Sequence, residues 1–399
     1  MTRLSHLLFV AFMVLPLSEG VQAVAQEART LKIGAIFSVT GGASLLGDPE
    51  KKTVQTIVDK VNETGGVNRH PIEMVIEDDQ SDATKAVSAA QGLIYRDRVL
   101  AIVGPSTSGS SLAIKSICEK ARIPMVSCAA AEAIVTPIEE SKFIFKTPQK
   151  DSHVVMKIMD QLSKMGITKI AILSETLPFG QLGRKLLQEQ AQAKGIEVVG
   201  DETYGPSDTD LAPQIQKIAA AQPQAVVNWS IVPAQSIVPK EMKRQGMMMP
   251  LFQSHGFGNP KYIEAAGDAA EGIIFPAGRL LIVDSLPRNH PQLRTLWTYK
   301  YEYEQSYGAS ASTFGGHAYD AIRLVIKALR DKQIAPDMPV AKARELIRDG
   351  IEETKDWPGT AGRFNMSQTD HNGLDKDDSL EMIYVDKGGR LIPLSKKPQ

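Results

Sequence analysis

From Leu31 onward, short β-rich runs alternate with longer stretches of helical apolar spacing, and this alternation restricts the fold more than any other feature. The strand-like runs are residues 32–37, 72–77, 100–103, 170–173, 225–229 and 272–275. Helical spacing fills residues 51–62, 84–96, 111–121 and 181–194 between them. Strands separated by helices return by crossover, so they lie parallel in one sheet with right-handed connections. Gly166, Gly195 and Gly246 follow helical segments, where glycine commonly ends a helix before the next strand.

The alternation runs in two series. The first reaches Thr147-Pro148; the second starts with a helix at 153–165 and ends near Pro276-Ala-Gly278. Helix-rich stretches at 291–307 and 314–330 follow, and the tail from Trp357 returns to strand-like runs at 363–366 and 380–385. A chain of 399 residues exceeds what one hydrophobic core usually serves, so two lobes are expected. The late return to strands implies that the chain crosses between lobes more than once. The expected division is 29–147 plus 279–356 for the first lobe and 148–278 plus 357–399 for the second.

Residues 1–25 follow different rules. Arg3 precedes an apolar run from Leu7 to Leu17, and Ala23-Val-Ala25 has the small-x-small pattern of a signal cleavage site. The run is shorter than the roughly 20 residues of a membrane anchor. A signal peptide cut after Ala25 is expected, leaving a protein free in a periplasm-like space. No cysteine follows the cut, so no lipid anchor and no direct membrane insertion are expected. With 45 basic and 46 acidic residues and no long single-sign run, no face suited to nucleic acid or anionic lipid is visible. Cys118 and Cys128 form one bridge or remain free thiols; their spacing fits no metal site.

Ligands of open α/β sheets bind beyond the carboxyl ends of the strands. After 100–103 comes Gly104-Pro-Ser-Thr-Ser-Gly-Ser-Ser111, then a helix. Its glycines admit a close ligand, and Ser106, Thr107 and Ser108 sit where a helix N-terminus favours an anion. The plainer alternative is a well-capped helix. The loop lacks the lysine of a phosphate-binding P-loop, which argues against nucleotide. The next strand ends in Ser127-Cys-Ala-Ala-Ala131, whose small residues either expose backbone to a cleft or serve helix–sheet packing. Phe179 follows a strand as an apolar wall or a helix staple, and His255-Gly256 occupies another such loop. No nucleophile, acid–base or dinucleotide motif is present, and Glu77-Asp78-Asp79 reads as a solvated strand end rather than a metal site. The helix opening Phe314-Gly-Gly-His317 is a weak signal taken alone. No catalytic residue, cofactor or metal is expected.

These pieces together resemble the leucine/isoleucine/valine-type periplasmic binding proteins that feed ATP-driven importers. The resemblance covers nearly everything from Leu31 to the tail. It is carried by Lys32-Ile-Gly-Ala-Ile-Phe-Ser-Val-Thr-Gly41, Gly65-Gly-Val67, Asp78-Asp79, Gly104-Pro105, Gly267-Asp-Ala-Ala-Glu-Gly272 and Ala318-Tyr-Asp-Ala321. The fold it implies is α/β: two doubly wound parallel-sheet lobes joined by a three-stranded hinge, with the ligand in the cleft. The partners it implies are a small carboxylate and the membrane permease of an ABC importer.

In that family the serine-rich and small-residue loops hold a carboxylate and an α-ammonium. By resemblance those positions are Ser106, Thr107, Ser108, Ala129, Ala130 and Ala131, with Leu46 walling the side chain. The second lobe supplies Phe179, then Val232 where a tyrosine is usual, and His255-Gly256 where an acid is usual. A buried ammonium without a counter-charge costs several kcal/mol. Histidine instead suits an acid, keto or hydroxyl oxygen. His255-Gly256, Ala129-Ala-Ala131 and Asp370-His-Asn-Gly373 are similar to the branch that takes up aromatic acids and aromatic keto acids. A branched-chain amino-acid or amide binder and a ligand-sensing receptor module are the alternatives.

Overall fold

The computed structural model describes residues 30–397; the expected leader, 1–25, lies outside the described residues. The first sheet contains β1 (Leu31–Phe37), β2 (Ile72–Asp78), β3 (Ile102–Val103), β4 (Met125–Ser127) and β5 (Ile144–Lys146). Its order is β2-β1-β3-β4-β5, and every pairing is parallel. Six of the seven β1 positions are buried, the mark of a strand covered by helices on both faces. The helices α1 (Ser44–Glu63), α2 (Ala83–Gln91) and α3 (Ser108–Lys120) supply the crossovers.

The second sheet starts with β6 (Lys169–Glu175), β7 (Glu197–Tyr204), β8 (Ala225–Trp229), β9 (Leu251–Gln253) and β10 (Ile274–Ala277). Helices α4 (Asp151–Lys164) and α5 (Pro178–Ala193) pack together beside β6. A small antiparallel pair, β11 (Trp357–Pro358) and β12 (Arg363–Phe364), stands apart. The tail strands β13 (Glu381–Val385) and β14 (Leu391–Pro393) extend the second sheet to the order β14-β13-β10-β9-β8-β6-β7. β13 and β14 pair antiparallel, so this sheet is parallel except at that edge. Gly166, Gly195 and Gly246 adopt φ of 70°, 69° and 72°, the left-handed turn expected where helices stop.

The division at Trp357 requires correction. Ala361, Phe364, Met366 and Leu374 are buried in the first-lobe core together with Ile322, Val325 and Ile347. Leu380, Ile383 and Val385 belong instead to the second-lobe core. The third crossing therefore lies at residues 375–380. A strand-like pattern reports that a segment is half-buried, and Phe364 finds that burial against Trp357, with ring centroids 5.9 Å apart.

The hinge strands are tied to one another. Gln149 Nε2 donates to Ala361 O at 2.7 Å and Ser379 O at 3.0 Å, joining the first crossing to the third. His371 Nδ1 lies 2.8 Å from Ser141 O, which places this residue in the hinge scaffold rather than the cleft. Cys118 and Cys128 are buried free thiols, which resolves their pairing. Among the described residues, no helix is long and apolar enough to cross a membrane.

Candidate functional site

The carboxyl-terminal loops of the two sheets face each other across a narrow cleft whose free space is about 20 Å³. The first lobe places Leu46 of α1, Ser106, Ser108, Ala129 and Ala130 on its wall. The second lobe adds Phe179, His255 and Gly256. The structure brings these eight expected positions together on one surface.

Three expected positions stand off the wall. Thr107 caps α3, accepting the Ser110 N–H at 3.2 Å. Ala131 is buried in the first-lobe core. Val232 points into the second-lobe core, where its N–H donates to Glu175 Oε2 at 3.2 Å; its neighbour Ile231 takes the wall position. Each of the three lies one residue from a wall position, where the backbone turns its side chain away. Cys128, Pro148, Phe314 and His317 line the cleft without having been expected there. Phe314 and His317 are three residues apart at the start of helix Thr313–Asp331, so they share a face. Their spacing was visible, but only the packing shows that this face meets the other lobe.

The hydroxyls of the serine loop differ in their commitments. Ser106 Oγ accepts the Ser38 N–H at 2.9 Å and donates to the buried Glu50 carboxyl, so its one proton is used. Burial holds the Glu50 carboxyl well above the usual carboxylate range. Ser108 Oγ accepts the Ala131 N–H at 3.2 Å, which leaves its own proton to turn toward the cleft. Ser108 opens α3, where partial positive charge from the helix favours an anion.

On the opposite wall His255 sits among aromatic rings. Its ring centroid is 5.6 Å from that of Phe179 and 5.7 Å from that of Trp229, both in edge contact. Burial, then the charges of Lys146 and His317, push its pKa well below that of free histidine, so the ring is neutral. Neither ring nitrogen has a hydrogen-bond partner. Gly256 is required here: a Cβ would lie 2.1 Å from Ser230 O. The loop before it is held by Glu175, whose Oε2 accepts from Ser230 Oγ and Ile231 N, each at 2.8 Å.

A carboxyl group does stand behind His255, on an element where the sequence did not signal one. Asp151, in the first turn of α4, brings Oδ1 to 3.8 Å from His255 Nε2. Both Asp151 oxygens are buried and unpaired. Burial holds its carboxyl well above the usual carboxylate range, against the lowering effect of Lys146.

The lobes touch directly. Asn259 Nδ2 donates to Leu45 O at 2.8 Å, and Thr313 N donates to Gly258 O at 3.0 Å. Leu46 and Phe314 both pack against second-lobe residues. The described conformation is a closed clamshell.

A family model for periplasmic binding proteins matches residues 30–389. The leucine-, isoleucine-, valine-, threonine- and alanine-binding protein of Pseudomonas aeruginosa is 26% identical over 338 residues, spanning 84% of this chain and 86% of the relative. An extracellular ligand-binding receptor from Rhodopseudomonas palustris HaA2 superposes with a TM-score of 0.85 at 28% identity, covering 91% of this chain and 99% of the other. A solute-binding protein of an ABC transporter from Rhodopseudomonas palustris BisB5, in complex with 3,4-dihydroxybenzoic acid, superposes at 0.69. It covers 92% of this chain and 91% of the other, and at 21% identity it shows the fold alone. With doubly wound lobes, a closed cleft between strand ends and a match over almost its whole length, the chain belongs to the periplasmic binding protein family in its leucine/isoleucine/valine type, a family of solute-binding proteins rather than enzymes.

Proposed function

We propose that this chain captures a small carboxylate, preferentially an aromatic acid or aromatic keto acid, and delivers it to the permease of an ABC importer. The observation that carries the ligand class is the neutral, unpaired His255 ringed by Phe179 and Trp229, opposite the Ser108 hydroxyl. Apolar rings surround the body of the guest, and the hydroxyl with its helix N-terminus meets the anion. A neutral histidine supplies no counter-charge for an ammonium. The ligand touches both lobes, so its differential affinity favours the closed form, and that form docks on the transporter. Export follows from the leader, with cutting after Ala25; intact mass of the secreted protein tests this.

Unpaired Asp151 favours a second reading, an amino acid or amide whose N–H group reaches that carboxyl. Calorimetry with benzoate, phenylpyruvate, leucine and phenylalanine separates the two. Tight binding of the aromatic anions and none of the amino acids supports the first reading; the reverse overturns it. Small-angle scattering shows a smaller radius with saturating guest, and identical dimensions in both states reject closure.

A further inference from the structure

Five of the chain's 14 methionines meet far from the cleft. Met165, Met242, Met247, Met248 and Met249 line one surface groove of about 540 Å³ in the second lobe. Leu251 and Ile274, the first residues of β9 and β10, form part of its wall. The groove therefore lies at the amino-terminal edge of the sheet, at the opposite end of the strands from the guest.

Local structure brings these side chains together. Helix Ile237–Arg244 is followed by a turn in which Gly246 N donates to Lys243 O at 3.1 Å and Met247 N to Met242 O at 3.0 Å. This pair of bonds folds Met247 back over Met242. Met247 and Met249 pack half-buried against the second-lobe core, and Met248 between them is turned outward. Met165 arrives from another element, as the residue that ends α4.

Packing accounts for only part of this cluster. It explains the buried Met242, but neither Met248, 92% exposed, nor Met165, 41% exposed. Leucine would cover the same core with less loss of side-chain freedom. What methionine adds is a soft sulfur lone pair on a side chain with three rotatable bonds. Thioethers are soft, neutral ligands, and among first-row metals they select Cu(I). The charged side chains on the groove, Asp268 and Glu271 against Lys243 and Lys397, balance in number. A groove without net charge suits a weakly hydrated monovalent ion better than a divalent one. Among the described residues, no three His, Cys, Asp or Glu side chains group as a site for a harder metal.

We propose that this groove binds a soft monovalent cation, Cu(I), through the thioethers of Met165, Met247 and Met249, with Met248 swinging in from solvent as the closing ligand. The site is independent of the guest in the cleft.

Anaerobic competition of the mature protein with the coloured Cu(I)–bicinchoninate complex tests this, with Ag(I) calorimetry as an air-stable second probe. One equivalent of each ion binds, with the same affinity at pH 5 and pH 8 because a thioether has no proton to displace; Zn(II) and Ca(II) do not bind. Met247→Leu combined with Met249→Leu, and separately Met165→Leu, weakens both ions by about tenfold or more, no less than the loss of an outer-shell partner costs a metal site. Melting temperatures of these variants stay near that of the parent, since leucine keeps the packing. An affinity that climbs with pH, or that is lost in Cys118→Ala or Cys128→Ala, assigns the ion to a thiolate and overturns the proposal. Failure of the unaltered protein to bind either ion, or equal binding by the methionine variants, also overturns it and leaves the cluster as packing.

Discussion

Asp320 accepts the Thr360 backbone N–H at 2.7 Å and the Thr360 hydroxyl at 2.9 Å, joining helix Thr313–Asp331 to the segment after β11. A third bond comes from Ala361 N at 2.9 Å. Burial raises the Asp320 pKa to about 6 despite these donors. Removing the acceptor strands three buried donors at once. Asp320→Ala lowers stability by roughly 3 kcal/mol, and Asp320→Asn, which keeps one acceptor oxygen, by about half as much. Thermal unfolding of the two variants checks the order; equal melting temperatures would refute it.

Glu175 gives a pH dependence with a definite sign. Burial raises its pKa from 4.5 to about 7. A carboxyl raised in the folded state contributes stability that is complete below pH 4.5 and lost as pH climbs through 7. Glu175→Gln retains an acceptor for Ser230 and Ile231 but cannot ionise. Its stability relative to the parent rises between pH 4.5 and 8 by on the order of 2–3 kcal/mol. Melting curves at pH 5, 6, 7 and 8 read this, and a constant difference across the series assigns the titration elsewhere.

Asn259 acts in two directions. Its Oδ1 caps the following helix by accepting Lys261 N–H at 3.0 Å, while its Nδ2 reaches Leu45 O across the cleft. Asn259→Asp keeps the cap and removes the bridge between lobes. The expected outcome is a larger radius of gyration without ligand and about tenfold weaker binding, at a nearly unchanged melting temperature. Unchanged affinity would show that this bond does not favour closure.

Ser108 is the donor left free for an anion. Ser108→Ala weakens carboxylate binding by about tenfold or more and costs about 1 kcal/mol of stability from the stranded Ala131 N–H. Ser106→Ala acts differently, because that hydroxyl is bound to Glu50 and Ser38. Its main effect is on melting temperature. Calorimetry and thermal unfolding on both variants distinguish the roles, and equal binding losses would assign the anion to both hydroxyls.

The doubly wound plan was legible because apolar periodicity and the length of crossovers act locally. β1, β6 and β8 appear where short apolar runs predicted them, and the serine loop opens α3 as its capping residues require. Residues 357–374 misled for the same reason. Their pattern records burial without recording which lobe provides it, and Phe364 is buried by the first. The site was read one residue out at Val232 and Ala131, since a loop gives no periodicity from which to infer where a side chain points.

What the chain's residues determined by themselves is the set of elements and the ends of strands where a guest can lie, because hydrogen-bonding and burial patterns are properties of short segments. Only the tertiary structure decided that Asp151 of one helix stands behind His255 of a distant loop, with His317 from the opposite lobe lining the same cleft. These residues are 104 and 62 positions apart (255 minus 151, and 317 minus 255), and no local pattern couples them. Their meeting follows from two sheets packing and closing on each other, and it exists only when both lobes are in place.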